Sequence, residues 1–426
     1  MTLVLFLGVL LLGILIGIPV AFSLLLSAMV LMAYLDLFSA DILAQALVNG
    51  VDSFPLLAIP FFLIAGEVMA SGGLARRIVT LASSLLGHRK GGLGYVVIFT
   101  SVLLAGLSGS AVADAAALSS MLFPMMAKAN YPHGRSAGLL ASGGIIAPVI
   151  PPSLPLILIG VAGNISIAKL FVAGLVPGLM MGVVLVVVWS LLVRKEDLPV
   201  QEPASGAERF DALKGAFFAL LLPVIIIGGI RTGIFTPTEA AVVAAVYAIF
   251  ISSVIYREMT WRSLYEVLVR ASRATGMVMF LVGCAMVAAW VVTVAQIPQQ
   301  LVLLLGPLVD NPRLLMAVIM LIVFFVGMVM DLGPSVLILA PLFMPVIKEA
   351  GIEPVYFGVM FIINASIGLI TPPVGNVLNV VCGVSSVSMT EAVKGVYPFV
   401  LAYLALLAVF VAFPNVIIIP MQLLIG

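Results

Sequence analysis

Charge is what this 426-residue sequence has least of: 9% of its residues are Asp, Glu, Lys or Arg, against about 25% in a soluble domain. With a formal net charge of +1 there is no basic field of the kind that attracts nucleic acid, which is excluded as a partner. Histidine occurs twice, at His88 and His133, and cysteine twice, at Cys284 and Cys382. Each cysteine sits in an apolar run without a second Cys or a His at ligand spacing, so both read as small buried apolar residues. There is no phosphate-cradling Gly-rich loop ending in Lys-Ser/Thr and no redox-cofactor motif, which excludes ATP hydrolysis within this chain. No Lys or Arg precedes Arg76. A cleaved signal peptide begins basic, so the first apolar run is expected to be a true membrane span.

What the sequence does have is 63% hydrophobic residues, in runs near 2–16, 17–35, 54–71, 93–127, 136–166, 170–193, 212–231, 238–256, 275–297, 313–347, 355–387 and 392–419. A bilayer core of about 30 Å takes about 20 residues of straight helix. Runs 93–127, 136–166, 313–347 and 355–387 are too long and must fold back or break. Each has helix-breaking or small polar residues at its middle: GLSGS at 106–110, APVIPPS at 147–153, MDLGPS at 330–335 and ITPPVGN at 370–376. Backbone leaves a helix at membrane depth only where protein or a water-filled cavity covers it, so four such breaks predict one shared binding cavity.

The two halves of the chain carry the same punctuation. Gly106 and Gly327, Pro124 and Pro345, Pro151-Pro152 and Pro372-Pro373, Gly174 and Gly395, and Pro177 and Pro398 are each 221 positions apart. The predicted fold is therefore an all-α polytopic membrane protein of two inverted repeats, each with a re-entrant hairpin and a broken helix, the plan of many secondary transporters. Residues 1–193 form the first repeat, with a surface arm helix at 36–51, hairpin 93–127 and broken helix 136–166. A linker over 194–211 leads to the second repeat, 212–426, with arm helix 258–272, hairpin 313–347 and broken helix 355–387.

Basic residues mark the cytoplasmic side. Arg76, Arg77, Arg89, Lys90, Lys128 and Arg135 flank the first hairpin, which is expected to enter from the cytoplasm. Arg257, Arg262, Arg270 and Arg273 place the second arm helix there too, so the second hairpin enters from the opposite face. Both termini then lie on the periplasmic side of a bacterial inner membrane, surrounded by lipid.

Two hairpins meeting from opposite faces bring half-helix N-termini, suited to anions, together with freed carbonyls suited to cations. Hard oxygen ligands without thiol or imidazole suit a hard cation, and Na⁺ is the inferred coupling ion, at two symmetry-related sites. The expected ligands are Ser108, Ser110 and Pro151 in the first repeat, and Asp331, Ser335, Thr371 and Pro372 in the second. Gly109, Ser110, Ser153, Gly333 and Asn376 are expected at the substrate, held by backbone N–H groups, hydroxyls and the bound cations, because no Arg or Lys lies at any break. Asp331, an ionisable residue at the tip of a hairpin, reads as functional. Asp114, one turn into the return helix, reads first as a charge stabilising a helix N-terminus. Glu67 and Glu239 read as capping or interface residues.

Gly106-Leu107-Ser108-Gly109 also matches the GxSG of intramembrane serine proteases. That chemistry needs a His base within reach of the serine, and both histidines lie in charged loops, so the chain is not expected to be an enzyme.

At PLLAIPFFLIAGEVMASGG (55–73), SGSAVADAAALSSMLFPMM (108–126), GGIIAPVIPPSLPLILIG (143–160), GIFTPTEAAVVAAVYA (233–248) and GLITPPVGNVLNVVCGVS (368–385) the chain resembles the large permease subunit of TRAP (tripartite ATP-independent periplasmic) transporters. The resemblance implies the fold of the ion transporter superfamily, an elevator in which both hairpins move against a scaffold. It maps the family's cation sites onto Ser108, Ser110 and the Pro151-Pro152-Ser153 break, and onto the Asp331–Ser335 tip and the Thr371-Pro372-Pro373 break. It also implies a small four-span membrane subunit, expected as a separate chain, and a soluble periplasmic protein that delivers a carboxylated solute. The rival reading is a stand-alone sodium-coupled carboxylate symporter of the same superfamily, whose likeness at TPTEAAV is weaker.

Overall fold

The computed structural model describes residues 1–425 apart from 195, 197 and 201, three positions within the stretch read as the linker, which therefore lies partly outside the described residues. The described elements are helical throughout, and seven helices are long and apolar enough to cross a membrane.

The first repeat runs α1 (Thr2–Leu15), α2 (Val20–Tyr34), α3 (Ala40–Val51), a 3₁₀ turn (Phe54–Leu57), α4 (Ala58–Ser71), α5 (Leu74–Leu86), α6 (Gly92–Ser108), α7 (Ala111–Lys128), α8 (His133–Gly144), α9 (Leu154–Gly163) and α10 (Ile167–Val193). The second runs α11 (Gly206–Arg231), α12 (Pro237–Phe250) with a π turn (Ile251–Ile255), α13 (Trp261–Val294), α14 (Ile297–Val309), α15 (Pro312–Gly327), α16 (Leu332–Glu349), α17 (Pro354–Gly368), α18 (Asn376–Ser385), α19 (Met389–Ala412) and α20 (Asn415–Ile425). The hairpins are thus α6–α7 and α15–α16, and the broken helices α8–α9 and α17–α18.

Four features differ from the sequence reading. The second arm is not a separate helix: it is continuous with the span that follows, as the 34 residues of α13. In the first repeat Pro55, which has no N–H to donate, sits in the 3₁₀ turn between arm and span. Its counterpart 221 positions on is Gly276, which lets the helix run through. Two stretches read as connections, around 72–92 and 298–313, fold as the amphipathic helices α5 and α14. α11 begins inside the expected linker because Ser205 and Glu208 form a reciprocal cap. Finally, α1 and α2 have 14 and 15 residues, fewer than the about 20 of a straight span.

The repeats interlock. α7 of the first hairpin packs on α18, α16 of the second hairpin packs on α9, and α8 packs along α19. The last contact is a backbone-to-backbone approach: a Cβ on Gly395 would run into the Gly134 carbonyl, and one on Gly138 would lie 2.5 Å from the Gly395 carbonyl carbon. Small residues of this kind let membrane helices come close enough for dispersion to hold them. The Tyr403 hydroxyl donates to the Ser142 carbonyl at 2.9 Å across the same pair. Outside this body, α2, α3 and α4 pack on α13, and α4 on α12.

Candidate functional site

At the first tip α6 ends at Ser108, Gly109 turns the chain with φ +62°, and Ser110 caps α7 by accepting from the Ala113 N–H at 3.4 Å. The positive φ favours glycine, and space requires it: a Cβ on Gly109 would lie 2.6 Å from the Pro152 carbonyl oxygen and 2.9 Å from the Ser153 Cα. The tip is therefore seated on the break between α8 and α9. The Ser108 hydroxyl donates to Asp114 Oδ1 and accepts from the Ser110 N–H at 3.2 Å. Asp114 is 4% exposed, and its second oxygen, Oδ2, has no hydrogen-bond partner.

The second tip is built likewise. Asp331 caps α16, accepting from the Leu332 N–H at 2.8 Å, and the Ser335 hydroxyl donates to the Asp331 carbonyl at 2.8 Å. The Met328 carbonyl at the end of α15 accepts from Val374 and Gly375 N–H at 3.2 and 3.4 Å, which seats the tip on the α17–α18 break. The peptide bonds Pro151-Pro152 and Pro372-Pro373, equivalent in the two repeats, are both cis.

The hydroxyls expected at the cation sites are mostly bound to backbone. Ser153 donates to the Pro148 carbonyl and accepts from the Leu156 N–H at 3.3 Å, so its main part is to cap α9. Thr371 donates to the Ile367 carbonyl at 2.8 Å. A hydroxyl whose proton is committed to a carbonyl turns its lone pairs outward, which is the form a cation can use. Asn376 opens α18 after Gly375 at φ +57°, and Asn379 reaches back to the Val374 carbonyl at 2.7 Å. Gly333 lies in the first turn of α16.

Ser108, Ser110 and Asp114 line a cavity of 230 Å³ together with Leu63, Glu67 and Ala274. The cavity thus lies between the first tip and helices α4 and α13, rather than between the two tips. Glu67 pairs with Arg270 of α13 at 2.8 Å, and Arg270 also reaches Ser71 at 3.2 Å. Glu67, read from sequence as an interface residue, is thus both an ion-pair partner and part of the cavity wall. Asp114 is the residue that sequence reasoning underweighted. The 221-residue offset already aligned it with Ser335, and Ser110 with Asp331. Each tip therefore carries one carboxylate and one hydroxyl a helical turn apart, in opposite order. Glu239 keeps the role read for it, accepting from the Thr236 N–H at 2.8 Å in a capping box. Of the two cysteines, Cys284 is buried and Cys382 half-buried.

Comparison with known proteins agrees with this architecture. The family described as "Tripartite ATP-independent periplasmic transporter, DctM component" matches residues 7–416. The chain is 56% identical over 99% of both sequences to the 2,3-diketo-L-gulonate TRAP transporter large permease protein of Escherichia coli. It is 39% identical to the sialic acid TRAP transporter large permease of Vibrio cholerae, over 96% of each chain. It is 38% identical to the C4-dicarboxylate TRAP transporter large permease of Pseudomonas aeruginosa, over 89% of this chain and 90% of that one. Among solved structures, the Alcanivorax borkumensis YdaH transporter shares the fold with a TM-score of 0.64 at 15% identity, over 89% of this chain and 90% of that one. These relatives are named as transporter permeases and not as enzymes, in keeping with a Ser108 whose side-chain partner is a carboxylate rather than a histidine. The chain belongs to the DctM family, the large membrane permeases of tripartite ATP-independent periplasmic transporters.

Proposed function

We propose that this chain carries a small carboxylated solute inward, driven by sodium, with both hairpins and their broken helices moving as one body against the scaffold of α1–α4 and α11–α13. The observation that carries the reading is the pair of tips, each seated on its own diproline break and each with a carboxylate and a hydroxyl a turn apart, Ser110 with Asp114 and Asp331 with Ser335. Oxygen-rich loops without a cationic side chain suit a hard cation, and a bound cation then supplies the positive charge that a carboxylate needs. The identity to a 2,3-diketo-L-gulonate permease makes a keto sugar acid the solute to try first. A periplasmic binding protein delivers it, and a small four-span subunit widens the scaffold. Both termini are periplasmic, which cysteine labelling checks: a label at position 132 reactive only from the periplasm overturns that orientation.

The direct test is uptake into proteoliposomes with the partner proteins present. Sodium should stimulate it, and replacing Na⁺ by K⁺ or choline at constant pH should abolish it. Equal uptake in all three would reject sodium coupling. The stand-alone symporter reading predicts uptake without partners.

A further inference from the structure

Starting at the end of the second hairpin away from its tip, and running along α15, a groove of 770 Å³ lies between α15, α17 and α19. Its walls include Leu314, Ala317, Leu321, Phe324, Leu404 and Ala408. Apart from Asn364, whose Nδ2 donates to the Met320 carbonyl, the deep part of the lining is apolar. The lining follows α15 from Asn311 to Phe324, about 20 Å at 1.5 Å per residue. That is the depth of one leaflet with its headgroup edge, half a hydrocarbon core being about 15 Å. Leu314 and Leu321 are exposed on the helix surface, so the groove opens toward lipid.

Its mouth is charged. Arg313 lines both the groove and an adjoining pocket of 150 Å³ that Glu353, Gly351 and Tyr356 complete. The Tyr356 hydroxyl is already committed to the Phe410 carbonyl at 2.9 Å. Neither Arg313 nor Glu353 makes an ion pair among the described residues. Arg313 of the groove and Glu353 thus share the adjoining pocket at one end of an apolar groove one leaflet deep, neither of them in an ion pair among the described residues.

We propose that this groove holds one aminophospholipid of the surrounding bilayer, with its phosphate on Arg313, its ammonium on Glu353 and one acyl chain along α15. A lipid with a purely anionic headgroup would answer Arg313 but bring its charge up to Glu353. A quaternary choline headgroup has no N–H to donate to that carboxylate. The apolar face of an uncharged helix from another chain would leave both charges unanswered.

The test is native mass spectrometry of the purified full-length protein taken from vesicles containing equal parts phosphatidylethanolamine, phosphatidylcholine and phosphatidylglycerol. One phosphatidylethanolamine should be retained with at least about tenfold preference, a difference of about 1.4 kcal/mol. The preference should fall stepwise as the amine is mono-, di- and trimethylated, a series that needs no variant. Glu353→Gln and Arg313→Ala should each remove it, and Ala317→Trp should displace the lipid by filling the groove. Equal retention of the three lipids, preference for phosphatidylglycerol, or selectivity unchanged in Glu353→Gln would overturn the proposal. So would a protein dimer that Ala317→Trp dissociates.

Discussion

Asp114 and Ser335 occupy the same position in the two repeats, 221 residues apart, and between that position and the helix cap one turn earlier the carboxylate and the hydroxyl have changed places. In the first tip the hydroxyl caps and the carboxylate stands a turn inside, where Ser108 holds one of its oxygens and the other is unpartnered. In the second tip the carboxylate caps and the hydroxyl is inside. The two tips thus present their carboxylates at different depths.

This arrangement predicts unequal variants. Asp114→Asn keeps the shape but removes the charge, and hydrogen bonds to charged groups are worth about 1.5–3 kcal/mol. Sodium affinity, read from the sodium dependence of uptake or from sodium-induced thermal stabilisation, should fall by tenfold or more. Ser108→Ala, which removes only the group orienting that carboxylate, should cost less. Unchanged sodium dependence in Asp114→Asn would leave the residue a purely structural part.

Gly109→Ala tests the seating of the tip. The new Cβ would meet the Pro152 carbonyl at 2.6 Å in a backbone conformation with positive φ. Strain of about 1–3 kcal/mol at that turn should lift the tip from its break, so uptake should drop severely while expression and membrane insertion are kept. Normal uptake would show that the tip does not need this close seat.

Glycine substitutions elsewhere should separate packing from propensity. Gly395→Ala pushes into the Gly134 carbonyl at the α8–α19 crossing and should destabilise the protein by about 1–3 kcal/mol. Gly276→Ala meets nothing within 4 Å in the middle of α13, and should leave stability unchanged or raise it by up to about 1 kcal/mol. Thermal unfolding in detergent, followed by aggregation onset, distinguishes the two; equal shifts would contradict the close crossing.

The repeat plan was legible because helix-breaking residues cannot be hidden: Pro151-Pro152 and Pro372-Pro373 mark the breaks wherever the surrounding composition drifts. Run length sets the expected hairpins at 93–127 and 313–347, and the helix pairs α6–α7 and α15–α16 span Gly92–Lys128 and Pro312–Glu349. What composition could not show was continuity. Whether an arm and a span join depends on the Pro55 to Gly276 difference, a single residue inside matched apolar runs. The amphipathic α5 and α14 were hidden by their charged or polar flanks, although the 3.6-residue spacing of Leu74, Ile78 and Leu81 was there to be read. The cluster at Asp114 is made by tertiary packing, since sequence spacing gives no sign that Glu67 of α4 and Ala274 of α13 share its cavity.

Dependence on a delivery protein separates the tripartite reading from the stand-alone symporter. On the proposed orientation the periplasmic connections would be 163–169, 231–236, 298–313 and 350–354, and the longest of them is filled by the single helix α14. None reaches the about 50 residues of even a small binding domain. Capture from dilute solution would then fall to the membrane cavity. There a carboxylate is best gripped by a bidentate Arg, yet the tips and breaks offer only hydroxyls, carboxylates, amides and backbone. Arg270, which reaches the wall of the first-tip cavity through Glu67, is already paired with that carboxylate. The proposed tripartite reading then predicts low intrinsic affinity for this chain alone, with capture left to a delivery protein. Sodium-driven uptake at micromolar solute should therefore require the binding protein and the small subunit together. Comparable uptake by this chain alone would replace the tripartite mechanism with that of the stand-alone symporter.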